Sequence, residues 1–151
     1  MSYEDIPRLG IGGKSLIRKY SQPDKLIYHG TKDVYCAGAG LHDSFLDECF
    51  EKVISRHGIE PINYHNVSIN DLNNYVHLYA YVYCHKDYPS MLVEFETDFR
   101  LVLSEDPMDI MNIGYTWGGK VWNHTPGEII AQAERHIWIR VNDFIDIHSK
   151  A

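Results

Sequence analysis

The sequence predicts an α+β domain: a small antiparallel meander sheet of three or four strands, with one helix before it and a C-terminal helix packed on one face. Three observations predict it. Residues 75–84 and 91–103 alternate apolar and polar side chains with a period of two. Residues 41–57 and 126–148 repeat apolar side chains at steps of three and four. The 151 residues contain no internal repeat, low-complexity stretch or linker, and that length suits one domain with one core.

Pro7, Gly10, Gly12 and Gly13 make residues 1–14 read as an irregular arm. Lys25 to His29 is apolar and bounded by Pro23 and Gly30, as a short strand would be; Val34 to Cys36 reads as a second, very short extended piece. Leu41, Phe45, Leu46, Cys49, Phe50, Val53 and Ile54 define the buried face of the first helix, with Gly58 as its stop. Pro61 to Asn74 is polar and reads as loop, with a turn of helix at Asn70 to Asn74.

The two alternating segments read as a hairpin. Val76, Leu78, Ala80, Val82 and Cys84 share one face of the first strand; Tyr75, His77, Tyr79, Tyr81 and Tyr83 share the other. Their partner places Val93, Phe95, Thr97, Phe99 and Leu101 on the apolar side and Glu94, Glu96, Asp98 and Arg100 opposite. The apolar faces must coincide, because a one-residue slip would bury the carboxylates. Ile113 to Trp122 predicts a third strand, interrupted by Gly118 and Gly119, which suggest a bulge or a close backbone approach. Thr125, Pro126 and Glu128 open the last helix with a capping box, and Ile130, Ala133, Ile137, Val141, Phe144 and Ile145 form its stripe. The β-rich run Ile137 to Phe144 is the competing strand.

Composition narrows the function classes. Twenty-one acidic residues against 14 basic ones give a formal net charge of −7, which repels phosphate backbones and anionic bilayers and favours a basic protein partner. Duplex nucleic acid and membrane partners are therefore not expected. The first residues lack a basic region followed by an apolar stretch, and no run of apolar residues is long enough to cross a bilayer. Cys36, Cys49 and Cys84 are an odd, widely spaced set, which predicts free thiols, a reducing compartment and hence the cytoplasm.

Several short motifs carry possible chemistry. Gly10-Ile11-Gly12-Gly13-Lys14-Ser15 is similar to a phosphate loop, but Arg8 stands where that loop needs its first glycine. Arg8 to Gly12 also mimics the acyl-CoA loop of small acetyltransferases; a flexible arm accounts for both. Cys36 lies ahead of a helix start, where a lowered thiol pKa and a base such as His65 or His77 could make a nucleophile. With no signature around it, a small buried hydrophobe is expected. The nine His form no metal-ligand spacing, so no metal is expected.

Tyr28-His29-Gly30-Thr31, with Gly40-Leu41 after it, resembles the first motif of the ADP-ribosyltransferases related to diphtheria toxin. The resemblance implies that His29 holds the nicotinamide ribose of NAD, that a tyrosine such as Tyr79 or Tyr81 stacks on nicotinamide, and that Glu96 orients the acceptor.

The leading expectation is a non-catalytic cytosolic protein that blocks a macromolecular partner, in the manner of immunity proteins or phage inhibitors, without a cofactor. Its contact face would comprise Tyr75, His77, Tyr79, Tyr81, Tyr83, Glu94, Glu96 and Asp98, since tyrosines give contact area at little entropy cost and carboxylates steer basic partners. The alternatives are a small NAD-dependent ADP-ribosyltransferase using His29, Tyr81 and Glu96, and a nucleotide-binding protein. A shared cleft for these three residues discriminates the transferase from the inhibitor.

Overall fold

A computed structural model describes residues 11–67, 75–87, 92–102, 110–112, 117–122 and 125–149. The α+β class holds, but the sheet is mixed rather than antiparallel. Among the described residues it has six strands: β1 (Lys25–Lys32), β2 (Glu60–Asn63), β3 (Tyr75–Cys84), β4 (Leu92–Val102), β5 (Ile110–Asn112) and β6 (Trp117–Trp122). They run in the order β2-β1-β3-β4-β5, with β6 also on β4. Both neighbours of β1 are parallel to it. A parallel pair needs a crossover, and α2 (Phe45–Arg56) supplies it between β1 and β2. β2 was hidden inside a stretch that reads as loop because it has four residues and contains Pro61, which an edge strand tolerates.

The hairpin keeps the register its pattern demands. Val76 faces Leu101, Leu78 faces Phe99, Val82 faces Phe95 and Cys84 faces Val93, and all eight are buried. Beyond β4 the third strand is split. Asn112 pairs with Arg100 and Trp117 with Thr97, so five steps on one side meet three on the other. Gly118 and Gly119 stay in register with Glu96 and Phe95, so no bulge lies at the glycines.

Among the described residues three α-helices pack on the apolar side. α1 (Ile11–Lys19) replaces the end of the expected irregular arm and buries Ile17. Gly12 and Gly13 hide it from propensity. α2 buries six of the seven residues in the expected stripe, and the seventh, Leu41, is buried just ahead of it. The short 3-10 turn Val34–Ala39, not an extended piece, joins β1 to α2 and is capped by Asp33.

α3 (Pro126–Ser149) is one continuous helix, so the strand alternative over 137–144 is excluded. Its capping box forms: Glu128 N–H donates to Thr125 Oγ1 at 3.3 Å, and Thr125 N–H donates to Glu128 Oε1 at 3.3 Å. Ile145 is 37% exposed, while His136 and Arg140 are buried instead. Arg140 reaches across to Thr97 Oγ1 at 3.2 Å and pairs with Asp143 at 3.2 Å. This explains a threonine on the apolar face of β4.

The cysteine expectation fails. Cys36 and Cys84, 48 positions apart in sequence, form a disulfide with a Cα separation of 5.1 Å between the 3-10 turn and the end of β3. Wide spacing concealed the pair, because β1 and β3 become neighbours only through the parallel crossover. The bridge removes the premise for a reducing compartment and for Cys36 as a nucleophile. Cys49 is free and buried, which pushes its thiol up to about 12. Among the described residues no helix is long and apolar enough to cross a membrane. The expected turn at residues 70–74 lies outside the described residues.

Candidate functional site

The site grows from the alternation of β1. Leu26 and Tyr28 point into the core, where Tyr28 stacks on Phe50 at 4.9 Å. Ile27, His29 and Thr31 therefore point to the opposite face. The strand continues through Gly30 to Lys32, so the Tyr-His-Gly-Thr motif lies within it and not at a turn. Gly30 is required by close approach: a Cβ there would lie 3.0 Å from the Leu46 side chain and 3.2 Å from Phe50. The glycine thus seats α2 and leaves His29 and Thr31 on the outer face.

Register then assembles the expected residues in rows. His77 lies between Ile27 and Arg100, Tyr79 between His29 and Asp98, and Tyr81 between Thr31 and Glu96; Tyr83 faces Glu94. All belong to the face away from the described α-helices. By strand spacing, His29 and Glu96 lie about 12 Å apart across the sheet.

The face is not uniform. Tyr75, His77 and Asp98 are buried, Tyr79, Tyr81, Tyr83 and Glu94 half-buried, and Glu96 exposed. Part of the cover is a ring cluster that sequence reasoning missed. Asn63 accepts a hydrogen bond from His65 N–H at 2.9 Å and starts a 3-10 turn, Tyr64–Asn66. That turn lays Tyr64 on His29, centroids 4.4 Å apart and 11° from parallel. His65, His77 and Tyr79 present edges to the same imidazole at 5.5–5.6 Å. The one local signal for this was an Asn capable of capping, ahead of Tyr64 and His65.

Burial governs the chemistry of this cluster. It lowers His29 to about 4, aided by the nearby His65 and Arg100, and lowers His77 to about 3, aided by His29 and Arg100. Both imidazoles are neutral at pH 7. Burial raises Tyr75, with Tyr64 adding to the effect. His77 is 1% exposed, and neither ring nitrogen has a hydrogen-bond partner among the described residues.

Tyr79 is fully engaged. Its hydroxyl pairs with Thr31 Oγ1 at 2.7 Å, and Arg100 lies over its ring at 3.5 Å from the centroid while bridging to Asp98. Tyr81 instead lies 26° from parallel with Tyr83 at 6.5 Å, toward the more exposed end.

The remaining motifs do not join the site. Gly12, Gly13, Lys14 and Ser15 lie in α1, so their backbone forms helix rather than a phosphate-cradling loop. Gly40 ends the 3-10 turn at φ 83° against Pro126, and Leu41 is core. Among the described residues, no group of three or more His, Cys, Asp or Glu is placed to hold a metal ion. Compared with known proteins, the chain matches no family model and no curated relative.

Proposed function

We propose that the outer face of the sheet binds NAD and that the chain is a small ADP-ribosyltransferase acting through His29, Tyr81 and Glu96. One observation supports this reading: the Tyr-His-Gly-Thr motif runs mid-strand and sends His29 to the same face, one row away, as Tyr81 and Glu96, although neither described cavity is lined by all three. A neutral His29, held by Tyr64, can donate to or accept from a ribose hydroxyl without adding charge beside a cationic nicotinamide. Tyr81 suits the stacking role better than Tyr79, whose ring carries Arg100. Glu96, exposed beside Tyr81, is where an acceptor can arrive.

The reaction breaks the bond between ribose C1′ and nicotinamide nitrogen. Nicotinamide leaves neutral with the bonding pair, the acceptor's heteroatom bonds to C1′, and its proton passes to Glu96 or water. NAD labelled on its adenylate, incubated with the protein and cell extract, should label an acceptor. The label should vanish in His29→Ala and Glu96→Gln and survive in Tyr83→Phe. Equal labelling by all four proteins would end this reading.

The inhibitor reading keeps one specific support: the stacked Tyr81 and Tyr83, with Glu94 and Glu96 beside them, form an aromatic, acidic patch on a chain of net charge −7. In that case Tyr81→Ala weakens binding of a basic protein by about 2 kcal/mol, and no nicotinamide is released.

A further inference from the structure

A cavity of about 460 Å³ opens at the N-terminal end of β1 and β3, beyond His77 from Glu96. Its size falls in the ordinary range for small-molecule sites. Ile27 and Ile62, register neighbours on β1 and β2, contribute a flat apolar surface. Tyr20 and Tyr75 add aromatic walls, and the amides of Gln22 and Asn66 offer both donors and acceptors.

Lys25 lines the cavity and puts a cation at its edge on a chain of net charge −7. Behind Tyr75 is His77, its ring 6.0 Å away, buried with both nitrogens unpartnered. An apolar surface, aromatic walls, amide edges and a cationic rim match a planar heterocycle carrying an anion.

We infer that this cavity is a second ligand site, which takes a nucleobase-sized ring bearing a phosphate or carboxylate. The ring lies on Ile27 and Ile62 between the tyrosines, and the anion meets Lys25. This goes beyond the NAD reading and does not depend on it, since none of the cavity's lining residues is His29, Tyr81 or Glu96.

Adenosine 5′-monophosphate is the probe, titrated calorimetrically into the full chain with adenosine and inorganic phosphate as separate arms. We expect the nucleotide to bind with a dissociation constant below about 1 mM, adenosine more weakly, and phosphate alone not measurably. Lys25→Gln should weaken the nucleotide about tenfold, and Ile62→Trp, which fills the cavity from an edge strand, should abolish binding. His29→Ala should leave it unchanged. Absence of nucleotide binding to the wild type, or binding that survives Ile62→Trp, would overturn the inference. So would binding lost in His29→Ala but kept in Lys25→Gln, because the nucleotide would then sit on the His29 cluster.

Discussion

His77 is the residue whose placement conflicts most with stability. A buried imidazole with two unpartnered nitrogens costs about 1–3 kcal/mol relative to an apolar ring of similar shape. His77→Phe should therefore raise the unfolding free energy by about 1 kcal/mol in urea melts; a clear loss would mean that the nitrogens are satisfied. Acid exposes the same conflict. His29, His77 and His136 titrate near 4, 3 and 3 in the fold, each lowered chiefly by burial, against about 6.5 when unfolded. Above pH 6.5 these histidines are neutral folded and unfolded, and as pH falls toward 3 the unfolded chain binds protons that the fold does not, so stability is lost. At pH 5.5 unfolding should take up about three protons, visible as a slope of stability on pH, and His136→Gln should remove about one. At this scale the sequence was partly legible. Period two assigned Tyr75 to Tyr83 to one face correctly. It could not foresee that Tyr75 and His77 would be covered, since Tyr64 reaches His29 only by way of a parallel strand pair.

Elements with a strong local signal were read well, and those defined by distant partners were not. The hairpin register followed from two matched alternations, and α3 from its capping box and apolar stripe. Thr125→Ala should cost about 1 kcal/mol, as loss of an N-cap does, measured by chemical denaturation. β2 has four residues and exists only because β1 offers it an edge, so nothing local marks it. The helix α1 was likewise masked by Gly12 and Gly13. Gly30 looked like a strand end but serves the contact between β1 and α2. Gly30→Ala, which crowds Leu46 and Phe50, should destabilise by about 1–3 kcal/mol. A neutral result would show that α2 moves freely over the strand. The buried Arg140 could not be inferred from α3 alone, because its hydroxyl partner, Thr97, lies 43 residues away on β4.

Among the described residues, the α-helices lie on one side of a mixed sheet and the ring cluster around His29 on the other. The disulfide ties the turn after β1 to the end of β3, beside the row that holds Thr31 and Tyr81. His29 and Tyr81 thus stand on the bridged strands β1 and β3, with Glu96 beside Tyr81 on β4. The proposed transfer names no acceptor, so turnover is a less direct test than binding. NAD titrated into the full chain, followed through histidine ring signals by NMR, tests the outer face itself. The account predicts saturable shifts of His29 at millimolar NAD or below, with buried His136 on the opposite face unmoved and the shifts lost in Tyr81→Ala. A His29 signal that stays still throughout the titration would contradict it.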